Sequence, residues 1–389
     1  MTGISSVRGG GACLAVAFVV WAQGPKVVTL RPPTAASPEE FITVGSVREL
    51  ADGRLLVNDP RDGRIVAMDL TTGVVQQLGR RGAGPGEYQG ALPLRAIGGD
   101  STIMVDLSLR WLVFHGAKIV ATLSSDVVRR KGMSGLVQGA DTLGHIWSVE
   151  SPTTVDRDHP RSGSRAFSLS DSNLVVRANR KTGAIDTVTR LGGIVMRREI
   201  TTDSLGRLRS AVFVRPPLAV PEQAVLFRDG WFAVARNNPY RIDWISPVGG
   251  VVTGAPIQRL PIRMTQREQT AYLDRLRSQA TGPIPRDAKR TGADVDALRD
   301  QFPKYLPPFT NDALVAADDG HLLVLHAVSA DYPRPRYDVI DRRGRLVAVL
   351  EISQGERIVS VTNAFAYVAW KDRDDIVRLR RHPWIPFAP

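Results

Sequence analysis

Cysteine is almost missing from this chain: Cys13 is the single one among 389 residues. One thiol makes no intramolecular disulfide and no cysteine metal site. It also lies in the stretch that an export signal would lose, which leaves thiol catalysis out of the mature chain. Lysine is scarce too, at seven of the 51 basic residues, so the formal charge of +12 is carried by arginine. Net charge of this size bears on solubility and loose association rather than on fold. No apolar run is long enough to span a bilayer as a helix; Ala12 to Ala22 covers about eleven residues where about twenty are needed.

The signatures of catalysis are missing as well. There is no His-Glu-x-x-His pair, no spaced cysteine set and no Gly-x-Ser-x-Gly elbow. His321 and His326 share a strand at an odd separation, so they point to opposite faces and do not chelate together. Asp156-Arg157-Asp158-His159 has calcium-like spacing, but Arg161 stands where such a loop needs its turn glycine. Gly82 to Gly86 has the look of a phosphate cradle, yet no Lys-Ser/Thr follows and no helix opens there. The sequence therefore assigns no catalytic residues, no metal and no cofactor.

What is present begins with Arg8 and the apolar segment Ala12 to Ala22, of signal-peptide length. Val20-Trp21-Ala22 puts small or aliphatic residues three and one before a cut ahead of Gln23. The expected division is a signal peptide over 1–22 and a mature chain over 23–389, located in the periplasm or outside the cell.

The mature chain is organised around Ser46 to Gly90. Val47 to Leu50, the turn Ala51-Asp52-Gly53, Leu55 to Asp59, a polar break, Ile65 to Asp69, the turn Thr71-Thr72-Gly73 and Val74 to Leu78 describe a four-stranded antiparallel meander. The pattern recurs from Leu94, Leu136, Gln223, Ala313 and Arg357. Runs such as Leu322-Leu323-Val324-Leu325 are apolar without alternation, as strands covered on both faces require. A repeat of this spacing predicts an all-β fold, a six-bladed β-propeller of four-stranded antiparallel blades. The sixth unit has three strands, so Lys26 to Leu30 is expected to close the last blade and remove the exposed edge. The repeat is broken once, at about 259–308, between blades 4 and 5. Thr265 and Glu268 form a capping box there, with Tyr272, Leu273 and Leu276 on one side of a helix. A second short helix is expected from about Asp294 to Phe302.

Gly82-Ala83-Gly84-Pro85-Gly86-Glu87-Tyr88, after Leu78-Gly79-Arg80, resembles the blade junction of bacterial exported six-bladed β-propeller proteins. These are relatives of the NHL-repeat and TolB-like propellers. The Asp-Gly turns Asp52-Gly53 and Asp319-Gly320 are similar to NHL blades. The resemblance covers about Phe41 to His382 and implies the fold; that group has no single chemistry to lend.

A meander puts the first-to-second and third-to-fourth strand turns at one end of a propeller, and these are uniformly short. The other end collects the long connections: Arg80 to Leu92, Ser124 to Gly135, Ser151 to Asn173, Gly192 to Pro221, Arg259 to Pro308 and Ser329 to Pro335. Binding faces gather such loops on a rigid scaffold. Many arginines fall there, among them Arg129, Arg157, Arg161, Arg165, Arg197, Arg198, Arg207 and Arg209, and guanidinium groups suit carboxylate, sulfate or phosphate. The ligand-binding candidates are Arg80, Arg81, Glu87 and Tyr88. The expected function is a binding scaffold, acting as a monomer, for a small anionic molecule, a glycan or a protein. Nucleic acid and membrane integration are not expected. The rival reading is a metal-dependent hydrolase or lyase of the propeller-lactonase type, for which Asn58, Asp59, Asn237 and Asn238 lie near suitable strand ends.

Overall fold

The computed structural model describes residues 25–150, 153–155, 167–169, 172–194, 197–202, 208–214, 216–279, 301–385 and 387. In blade 1 the strands Ser46–Glu49, Leu55–Asp59, Arg64–Met68 and Val75–Gln77 pair in sequence order, each antiparallel to the last. Blade 2 runs from Leu94–Gly98 to Lys118–Ser124 and blade 3 from Gly139–Ala140 to Ile185–Gly192. Blade 4 runs from Gln223–Leu226 to Val251–Thr253, and blade 5 from Phe309–Ala316 to Leu346–Glu351. Blade 6 holds Glu356–Val361, Phe365–Lys371 and Val377–Pro383. The architecture is a six-bladed β-propeller.

The burial pattern explains why the sheets stand radially. Leu55–Asp59 is buried at all five positions, so both faces of its sheet are covered by neighbours. Six apolar cores result, one at each junction between adjacent blades. Tyr88, Met104 and Phe114 fill the core between blades 1 and 2. Trp147 and Phe232 meet edge to face at 5.5 Å between blades 3 and 4. Val44 and Val57 join Tyr367 and Leu379 where blade 6 returns to blade 1.

Ring closure departs from the sequence-based expectation. Val27–Thr29 does not close blade 6; it pairs in parallel with Leu346–Glu351 as a fifth, outermost strand of blade 5. The closing strand is Ala35–Ala36, antiparallel to Val377–Pro383. The amides of Thr34, Ser37 and Phe41 extend that ladder to the carbonyls of Arg381, Leu379 and Val377. Between the two segments lies Arg31-Pro32-Pro33. Prolines have no N–H to give a ladder, so the chain leaves one blade there and joins the next. Val28 and Leu30 pack against the core between blades 5 and 6, which accounts for their apolar character.

Between blades 4 and 5, Gln266–Gln279 is helical. Thr265 caps it, its hydroxyl accepting from the Glu268 amide at 3.3 Å. The return half of the capping box is replaced by a tertiary contact. The buried Glu268 carboxylate accepts from the Ser329 hydroxyl at 2.6 Å and the Ala330 amide at 2.8 Å. Leu273 is fully buried, and Tyr272 meets Phe302 edge on at 5.4 Å. Residues 294–300 of the expected second helix lie outside the described residues, as do Asp156, Asp158, His159, Arg157, Arg161, Arg165 and Arg207. Two connections expected as loops carry hairpins: Thr153–Val155 with Phe167–Leu169, and Arg197–Thr202 with Leu208–Val214. No helix among the described residues is long and apolar enough to cross a membrane.

Candidate functional site

The blade 1–2 junction is built as a tight plug. Arg80–Arg81 pairs in parallel with Glu87–Tyr88, which folds the glycine loop back on itself. Arg80 Nε donates to Glu87 Oε1 at 2.6 Å, and the Gly84 amide donates to Glu87 Oε2 at 2.8 Å. The Gly84 amide, then Arg80, hold the Glu87 carboxyl below its usual range. A Cβ on Gly82 would lie 2.1 Å from Glu87 Oε2, so the glycine makes room for the carboxylate. Tyr88 is fully buried; its hydroxyl accepts from the Ile65 amide at 3.0 Å and donates to the Leu78 carbonyl at 3.2 Å. Of the four sequence candidates, Arg80 and Arg81 are exposed, Glu87 is half-buried inside the turn, and Tyr88 sits in the core.

The ring encloses a central channel. Its short-turn mouth includes Glu49, Asp229, Gly320 and Asn363, around a cavity of 800 Å³. Its other mouth includes Gly45, Pro93, Leu136, Pro221, Asn311 and Arg357, where the chain arrives from the blade-to-blade connections, around a cavity of 860 Å³. Arg95, on the innermost strand Leu94–Gly98 of blade 2, lines both cavities. Leu94 packs into the blade 1–2 core, which turns the next side chain to the other face. Arg95 makes no hydrogen bond among the described residues, and its Nε is enclosed without a partner. Burial lowers its pKa from the ordinary arginine value, while the Asp312 carboxylate acts in the opposite direction.

Asp312 comes from the innermost strand of blade 5. Phe309 pairs with His326 and Leu314 with Val324, and the register breaks between them. Asp312 adopts a left-handed backbone at φ 52°, a conformation that aspartate tolerates better than most residues. Gln223 of blade 4 grips both shoulders of this bulge. Its Nε2 donates to the Thr310 carbonyl at 2.7 Å, and its Oε1 accepts from the Ala313 amide at 2.9 Å. The other charged groups near this mouth have polar partners. Arg236 pairs with Glu222 at 2.6 Å and with Asp243 at 2.9 Å, and Arg357 donates to the Val44 carbonyl at 2.6 Å. The signal for Arg95 in the sequence is its place among Leu94, Ala96 and Ile97, a lone charge in an innermost apolar strand.

Among the described residues no three His, Cys, Asp or Glu come together. Asn58 is spent on the Ala91 and Leu92 carbonyls and the Ser46 hydroxyl. Asp59 accepts from the amides of Ile42, Thr43, Arg61 and Asp62. Asn237 Nδ2 donates to the Val220 carbonyl at 2.7 Å. The Asn237 Oδ1 atom is enclosed without a hydrogen-bond partner among the described residues.

A second polar cluster lies at the root of the helical insertion. Arg259 donates to Asp338 through Nε at 3.0 Å and through Nη2, and to His326 Nδ1 at 2.9 Å. Tyr240 donates to Asp338 at 2.8 Å, and His326 Nε2 lies 3.0 Å from Asp338. A neutral imidazole accepting at Nδ1 and donating at Nε2 suits the Arg259 Nη1 and Asp338 contacts, while Arg259 Nη2 also lies 2.5 Å from Nε2. Burial pushes the His326 pKa down, against the pull of Asp338. For Asp338, burial alone would raise the pKa, and His326 and Arg259 together hold it below the usual value.

No family model matches the chain, and no curated protein does. Among solved structures, it is similar to regucalcin, a calcium-binding protein from Agrobacterium tumefaciens, at a TM-score of 0.38 and 10% identity over 94% of this chain and 98% of that one. A member of the DUF4221 family from Bacteroides vulgatus gives 0.46 and 7%, over 91% and 96%. A streptogramin B lyase gives 0.37 and 10%, over 90% and 87%. Likeness this remote carries no argument about the site.

Proposed function

We propose that this protein is a binding scaffold that takes a ligand bearing an anionic group at the long-loop mouth of its channel. The observation that carries the reading is Arg95, a guanidinium on the channel wall with no hydrogen-bond partner among the described residues. A partly desolvated cation with free N–H groups gains most from a carboxylate or phosphate, which accepts two of them side by side. Arg80 and Arg81, exposed on a connection at the same end, extend the contact for a larger anionic molecule, a glycan or a protein. Export to the periplasm or the cell surface belongs to this reading and rests on the segment Ala12 to Ala22.

Thermal-shift and calorimetric screening of small carboxylates, phosphates and sulfated sugars tests it. Binding by the wild type that weakens in Arg95→Met, at unchanged folding, supports the channel. Binding that weakens only in the Arg80→Ala, Arg81→Ala double variant moves the site to the junction loop. A metal-dependent hydrolase would instead carry stoichiometric metal through purification, which elemental analysis reads directly.

A further inference from the structure

Blades 2 and 5 stand opposite each other in a ring of six, so Arg95 and Asp312 belong to facing walls of the channel. Each comes from the innermost strand of its blade. Their placement differs in a telling way. Arg95 follows from the ordinary alternation of a strand. Asp312 is delivered by a bulge that breaks the ladder between Phe309 and Leu314, in a left-handed conformation, with Gln223 bonded to both sides of the break. Bulges re-aim side chains and cost local pairing, and here the re-aimed group is an exposed carboxylate at the channel mouth. Among the described residues Asp312 accepts no hydrogen bond, and its carboxylate is the charge that acts on Arg95. Two complementary charges, each without a hydrogen-bonded partner, therefore face one space.

We infer that the channel mouth binds a zwitterion, its carboxylate on Arg95 and its ammonium group toward Asp312. This deepens the anion-binding reading above and rests on it. A bare anion gains Arg95 but meets the carboxylate opposite, and a bare cation meets the reverse. A molecule carrying both charges at the right separation satisfies each wall and brings no net charge into the channel. Of the neighbouring ions, Glu222 is paired with Arg236, and Arg357 has one N–H group bonded to the Val44 carbonyl. Gln223 is a positioning residue: it fixes the bulge and leaves the ligand to Arg95 and Asp312.

Ligand-observed NMR titration of the purified chain tests this with propionate, butylamine, inorganic phosphate and the linear aminocarboxylates from β-alanine to 6-aminohexanoate. One chain length should bind about tenfold more tightly than propionate, an increment that one further charge-assisted contact supplies. Arg95→Met should abolish binding of propionate and aminocarboxylates alike, and Arg95→Lys, which keeps the charge, should restore part of it. Asp312→Asn should bring the best aminocarboxylate down to the level of propionate. Gln223→Ala should weaken the aminocarboxylate and leave propionate unchanged, an asymmetry that general destabilisation would not produce. Propionate binding through Arg95 with no gain at any chain length would overturn the zwitterion and leave the anion site standing. Tighter binding of phosphate than of every aminocarboxylate would do the same. Failure of every anion to bind, or equal binding in Arg95→Met, would overturn both.

Discussion

Arg110 binds the buried carboxylate of Asp106 at 2.7 Å and, with its remaining N–H groups, ties down the loop that joins blades 1 and 2. It donates to the carbonyls of Ala83 at 2.8 Å, Glu87 at 3.1 Å and Gly82 at 3.3 Å. The glycine loop is thus clamped from outside by a blade 2 ion pair and filled from inside by Glu87. Arg110→Met should destabilise the fold by about 2 kcal/mol, because Asp106 is left buried without its cation. The figure stays below that for a fully buried pair because Arg110 is partly solvated. Arg110→Lys should recover little, since a lysine does not reach Asp106 and three carbonyls together. Chemical denaturation of both variants checks the order.

Gly82 and Glu87 should be coupled in the same loop. Gly82→Ala puts a methyl where the Glu87 carboxylate sits, 2.1 Å away by ideal geometry, and forces it off the Gly84 amide and Arg80. The variant should unfold at lower denaturant concentration than the wild type, because the carboxylate loses both partners. In a Glu87→Ala background the two carboxylate atoms nearest the methyl are gone and the Cβ of residue 87 remains at 3.3 Å, so the second substitution should cost far less than the first. A double-mutant cycle measures the difference, and additive losses would show that the carboxylate does not occupy the space the glycine leaves.

The blades were legible because each hairpin announces itself: an apolar run, a turn such as Asp52-Gly53 with glycine in the left-handed region, then another run. The closing strand was not, because Ala35–Ala36 is two small residues with no periodicity, whereas Val27-Val28 carries the apolar signal for a different blade. Arg197–Thr202 reads as Arg-Arg-Glu-Ile-Thr-Thr, a strand whose charges hide its period. The site was less legible still. Tyr88 looked available in a glycine-rich loop but folds into the core, while Arg95 and Asp312 acquire meaning only when blades far apart in sequence share an axis. Motifs report local turns, and a channel is made of distant residues.

Acid should loosen the root of the insertion. His326 has a folded pKa below the 6.5 of its unfolded form, so below that value the unfolded chain takes up the proton first. Stability present above pH 6.5 is therefore lost as the pH falls. Asp338, held below 3.8, adds a second loss once the unfolded carboxylate begins to protonate near that value. The melting temperature should fall from pH 7 to pH 3, with a first component that His326→Gln removes and a second that it leaves. A profile unchanged between wild type and His326→Gln across pH 5–7 would show that the imidazole does not carry the first loss.

The two N-terminal segments make separable contributions to the ring. Removing residues up to Arg31 takes away the parallel strand Val27–Thr29 and the contacts of Val28 and Leu30 with the blade 5–6 core, but blade 6 keeps Ala35–Ala36. That chain should fold, with stability reduced by about 2–3 kcal/mol, the scale of two apolar side chains returned to water. Removing residues up to Pro38 also strips Val377–Pro383 of its partner and exposes its N–H and C=O groups along a sheet edge. An unpaired edge recruits other chains, so this longer truncation should associate or precipitate where the shorter one stays dispersed. Light scattering and denaturation on the two truncations read the difference. Equal behaviour would assign closure to packing between blades 6 and 1, where Phe41 and Val44 meet Tyr367 and Leu379, and not to the strand itself.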